Sequence, residues 1–225
     1  MEPVKVYLEI GSKRIFAGAI DWPGWSRSGR DEESALQELL AYAPRYGKVM
    51  ALEKIAFSPP KDISQLEVVE RAAGNATTDF GAPDVEPKAD ARRVSPDELE
   101  SMKALLRASW KALDAAAQAA IGKELRTSPR GGGRELEGML RHVLGADQGY
   151  LKRLAYKLPK GNDGDLAGET ARLRAGVMEA LERAVRGEMP ERGPRGGVYW
   201  SPRYYLRRAV WHTLDHAWEL EDRIL

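Results

Sequence analysis

Hydrophobic positions alternate at period two near the start of the chain and recur at helical spacing through most of the remainder. The stretches "VKVYLEI" and "KRIFAGAI" interleave β-branched and aromatic residues with polar ones. That pattern predicts two short strands joined at "GSK", a hairpin. "DWPGWSRSGRD" predicts a loop, because Pro23 and Gly24 interrupt regular structure. Ala35, Leu36, Leu39, Leu40 and Ala43 then fall on one helical face, with Asp31 placed to cap the helix. "LEVVERAAG" adds a further strand, so residues 1–75 read as a small α+β domain of hairpin, helix and strand.

The composition changes at "NATTDFGAPDVEPKADARRVSPDE", which is rich in Pro, Gly, Asp and Thr and poor in aliphatics. Residues 76–94 read as a linker. Residues 95–225 carry four helical segments punctuated by Gly and Pro, which predict an all-α four-helix up-and-down bundle. Ser95 and Glu98 form a capping box ahead of "SMKALLRASWKALDAAAQAAIG". The second segment covers "RELEGMLRHVLGADQGYLKRLAYKL" and ends at Pro159 and Gly161. Asp165 caps the third, "LAGETARLRAGVMEALERAVRG", and Ser201 with Pro202 opens the fourth.

Charge narrows the choice of function more than length does. Lys plus Arg number 35 against 34 Asp plus Glu, a formal charge of +1, so no whole-chain field draws the protein to nucleic acid. There is no cysteine, which excludes disulfides, thiolate ligands and a cysteine nucleophile and leaves any thiol chemistry to an external thiol. No signal core and no apolar run of membrane-spanning length occurs, so a cytoplasmic protein with no membrane partner is expected. The G-x-S-x-G elbow and a Rossmann fingerprint after a strand are also missing.

The chain has three histidines. His212 and His216 are four apart in "WHTLDHAWELEDR", on one edge of the stripe formed by Leu206, Ala209, Val210, Thr213, Ala217, Leu220 and Ile224. Side chains at that spacing project from adjacent turns, so two imidazoles can share one ion or simply sit half exposed on the helix flank. His142 occupies the flank of the second segment, and if the two helices pack together three imidazoles can meet. Asp215 and Glu219 lie beside the pair, either orienting a ring or acting as a base, or as plain solvated charges; Asp147 falls away from the His142 side.

"SPRGGGR" sets Arg130 and Arg134 around three glycines before the second segment, which fits an anion-binding helix start or an ordinary turn. "GNDGDLAGE" lacks the alternating acids of a calcium loop and reads as a capped turn. Trp211 and Trp218 lie opposite the apolar stripe, which fits packing on the first domain, an interface with a second subunit in a homodimer, or plain cover of local surface.

"LRHVLGADQGYL" and "WHTLDHAWELEDR", together with the punctuation of residues 95–225, resemble the DinB family of four-helix bundles. The resemblance implies a divalent metal held by His142, His212 and His216, with Zn or Ni as the expected ions. It also implies, as in several relatives, a transferase or isomerase that works on a small-molecule substrate with a low-molecular-weight thiol. Residues 4–74, through "AIDWPGWSRSGRDEESALQELLAYA", are similar to HicB-like domains. There a Pro-Gly loop leads from strands into a helix. That second resemblance implies the alternative of a non-enzymatic module that recognises a protein or small ligand.

Overall fold

The structure is a computed structural model that describes residues 2–127, 134–161 and 165–225. It is a mixed α+β fold in which a four-stranded sheet packs with a set of long helices. The strands are β1 (Val4–Ile10), β2 (Ile15–Ala19), β3 (Ser26–Gly29) and β4 (Leu66–Ala73), in the order β3-β2-β1-β4. β1 pairs antiparallel with β2 and parallel with β4, and β2 pairs antiparallel with β3. The parallel pair requires a crossover, which α1 (Glu32–Ala51) supplies by running from one edge of the sheet to the other.

β3 falls inside the stretch expected to be a loop. Its four residues, Ser-Arg-Ser-Gly, have no apolar alternation; backbone pairing of Phe16 with Ser28 and Gly18 with Ser26 makes it a strand. Both faces of the hairpin are covered. In register, Val6 lies opposite Ala19 and Leu8 opposite Ala17 on one face, and Tyr7 opposite Gly18 and Glu9 opposite Phe16 on the other. Gly18 is required there: a Cβ would come within 2.4 Å of the Tyr7 ring.

Capping matches the sequence closely. Asp31 accepts from Ser34 N, Ser95 forms a capping box with Glu98, Asp165 accepts from Gly168 N and Ser201 accepts from Tyr204 N. The corresponding helices are α1, α3 (Pro96–Ala120), α5 (Leu166–Val185) and α6 (Pro202–Arg223), while α4 spans Leu136–Arg153. α4 stops short of the Pro159 expected to end it, because Ala155 turns into the left-handed region at φ 60°. The stretch 76–94 carries the short α2 (Ala76–Phe80) and a 3₁₀ turn that buries Asp90.

α3 packs along α6, α4 packs on α6 and α5, and α5 returns to α3. α6 is the centre of the molecule: Tyr204 through Leu214 are all buried. Its apolar stripe faces the other long helices, and its opposite side faces the sheet. Trp211 and Trp218 are therefore covered, at 5 % and 3 % exposure, by β2 and α1. Phe16 meets Trp211 edge-on at 6.1 Å and Tyr42 meets Trp218 at 5.2 Å. One apolar core runs continuously from Val6, Leu8 and Leu39 through Val210 to Leu106 and Leu181. Arg207 of α6 is buried against Asp90 and also donates to the carbonyls of Ala19 and Ile20, which ties the helix to the sheet.

Candidate metal centre

α4 and α6 lie side by side, so the three histidines converge although 70 residues separate His142 from His212. The i, i+4 spacing puts His212 and His216 on neighbouring turns of α6, with ring centroids 4.6 Å apart. His142 enters from α4 with its centroid 5.2 Å from that of His212 and 4.9 Å from that of His216. One nitrogen from each ring lies within 4.8 Å of the others. The Nε2 atoms of His142 and His212 are 3.3 Å apart. Two nitrogens bound to one tetrahedral ion at about 2.0–2.1 Å stand about 3.3 Å apart, so the separation of this pair matches that of two ligands of one cation.

The surroundings favour the neutral form of His142 and His212. Burial first, then the neighbouring imidazoles and the charges of Arg208 and Arg134, hold His212 well below the ordinary imidazole range. His142 is lowered as well, mainly by burial and by His216 and Arg134. A neutral imidazole keeps a nitrogen lone pair free for a metal. His216 Nδ1 contacts Glu219 Oε2 at 3.0 Å, which leaves Nε2 as its donor atom. Nδ1 of His212 is buried and has no hydrogen-bond partner among the described residues. Tyr150 closes one side, its ring edge-on to His212 at 5.7 Å.

The other expected residues divide. Glu219 is at the centre, bonded to His216 and to Arg223 at 3.4 Å. Asp215 points to the sheet, where its Oδ1 accepts from Arg27 at 3.1 Å; that guanidinium lies 3.8 Å above the Tyr42 ring. Arg134 is exposed, and its carbonyl accepts from Arg223 at 3.1 Å. Arg130 lies outside the described residues.

Arg208 and Tyr150 join the site without having been singled out in the sequence. Arg208 is one turn before His212 and 5 % exposed. It donates to Pro83 O and, at 3.3 Å, to Tyr150 Oη, and its Nε has no partner among the described residues. Its i, i+4 relation to His212 is the sequence signal that marks it.

No helix among the described residues is long and apolar enough to cross a membrane. No family model, curated protein or solved structure matches the chain.

Proposed function

We propose that this chain is a DinB-like divalent-metal protein whose helices α3 to α6 act as an up-and-down four-helix bundle. His142, His212 and His216 are its ligands, and Zn or Ni is the expected ion. The observation that carries this reading is the convergence of the three imidazoles from two helices, with 3.3 Å between the Nε2 atoms of His142 and His212. An ion held by three imidazoles keeps an open position, where it would acidify a bound water or thiol. This supports a cytoplasmic transferase or isomerase acting on a small molecule with an external thiol, since the chain has no cysteine of its own.

The chain's own residues have separable parts in this reading. Glu219 holds the Nδ1 proton of His216 and fixes the ring with Nε2 inward. Tyr150 and Trp211 screen His212 from water. Asp215 anchors α6 to β3 through Arg27 and acts in positioning.

A second reading has one observation in its favour. The same 3.3 Å separation suits an N–H···N hydrogen bond between two neutral rings, which is what a non-enzymatic binding module with empty histidines requires. Metal analysis of protein prepared without an affinity tag separates the two. One ion per chain, abolished in His142→Ala, supports the metal centre. Sub-stoichiometric metal unchanged by that substitution overturns it.

A further inference from the structure

A cavity of about 480 Å³ opens between α3, α4 and α5, on the side of α4 away from His142. Its walls are largely apolar, among them Trp110, Leu113, Leu144 and Leu166. The size falls in the range of small-molecule sites, and like them it combines an apolar lining with a few polar groups. Those groups are Asp147, Asp114 and Arg174.

Asp147 is the anomaly. It is 8 % exposed, it lines the cavity from α4, and its Oδ1 has no hydrogen-bond partner among the described residues. Leaving a buried carboxyl oxygen unpaired is unfavourable, and natural interiors rarely do so without a reason. The cation that acts on it, Arg174, does not relieve it. Arg174 is bonded through both terminal nitrogens to Asp114, at 2.7 Å each, and its guanidinium also covers the Trp110 ring at 5.3 Å. Burial pushes the Asp147 carboxyl up to about 7, with Arg174 pulling weakly the other way.

We propose that this cavity binds a small apolar amine, its ammonium group donating to Asp147 and its hydrocarbon part lying against the walls. The chemistry selects that class over its rivals. An anionic ligand meets two carboxylates, Asp147 and Asp114, and finds the one guanidinium that lines the cavity among the described residues, Arg174, already engaged. A plain hydrocarbon fills the walls but leaves Oδ1 unpaired. A charge-assisted N–H···O bond satisfies the carboxyl and is stronger than a neutral one. The site is independent of the histidine centre, so either can fail without the other.

The test uses the full-length protein at about pH 8, where the carboxyl is ionised. Phenethylamine is the probe and 2-phenylethanol its uncharged counterpart, with binding followed by calorimetry and by NMR shifts. The amine is expected to bind at least about tenfold more tightly than the alcohol. Asp147→Asn is expected to remove that preference while leaving weak binding of the alcohol. Equal affinity for amine and alcohol in the unmodified protein overturns the proposal, and so does absence of binding by either. Amine affinity unchanged in Asp147→Asn also overturns it. The comparison of the two probes needs no variant, so it stands even if Asp147→Asn fails to fold.

Discussion

Arg207 on α6 grips Asp90 with two hydrogen bonds of 2.7 Å, from Nε to Oδ2 and from Nη2 to Oδ1, in a pair about 95 % buried on both sides. The bidentate geometry and the two further bonds to Ala19 O and Ile20 O satisfy the guanidinium almost completely. Removing one partner leaves an uncompensated buried charge. Asp90→Ala is therefore expected to lower the unfolding free energy by about 3–5 kcal/mol in urea titrations. Arg71→Ala breaks the exposed pair with Glu32 and is expected to cost less than about 1 kcal/mol. Similar losses for both would show that the buried pair is not a joint between sheet and helix.

Gly24 sits at φ 89°, and a Cβ there would lie 2.3 Å from Val210 Cγ1. Strain and clash act together, so Gly24→Ala is expected to destabilise the fold by at least about 2 kcal/mol. Thermal unfolding measures it. An unchanged Tm would mean that the loop after β2 does not press on α6.

Glu219→Gln removes the carboxylate that holds His216 Nδ1. Loss of such a partner typically weakens metal affinity by about 10–100-fold. Chelator competition reads this directly. Asp215→Asn, whose carboxylate faces Arg27, is expected to change affinity less than about threefold. Equal effects of the two substitutions would remove Glu219 from its orienting part.

Protons compete with a metal for imidazole. Because burial and neighbouring positive charge lower His142 and His212, those two rings stay neutral to a lower pH than free imidazoles do. The acid-side decline of metal affinity is therefore expected to begin at a lower pH than it would for unperturbed imidazole ligands. A steep fall between about pH 8 and pH 7 would contradict it.

Asp147 gives a stability signature of its own. Its folded carboxyl titrates at about 7 against 3.8 in the unfolded chain, so between those values the folded state binds more protons. Stability then falls as pH rises through that window, by up to about 4 kcal/mol for this group. Below about pH 4 both states are protonated and the penalty disappears. Asp147→Asn is expected to exceed the unmodified protein in stability at about pH 8, and to lose that advantage by about pH 4. A pH-independent difference in urea midpoints would place the carboxyl in a more hydrated setting.

What could be read in the sequence was local. Asp31, Ser95 with Glu98, Asp165 and Ser201 act within a few residues of themselves, and each caps the helix it announces. The hairpin was legible because Val6, Leu8, Phe16 and their neighbours alternate. β3 was not, since backbone pairing with β2 decides it and its side chains have no apolar rhythm. The spacing of His212 and His216 announced a shared edge; that His142 reaches them depends on how α4 lies on α6, which no periodicity encodes. The same gap hid Asp90, since its partner is 117 residues away, and left open whether Trp211 and Trp218 pack on the N-terminal elements or on a second subunit. Asp147 looked like a bystander on the wrong side of α4, because only the packing of α3 and α5 reveals the cavity around it.

From Tyr204 to Leu214 every side chain of α6 is enclosed, about three turns with no outward face. Each of those positions answers to the helices on one flank and to the sheet on the other. Mutational tolerance along the stretch should therefore lack the one-in-three-or-four rhythm that surface helices display, and a saturation scan would show an almost uniform intolerance there.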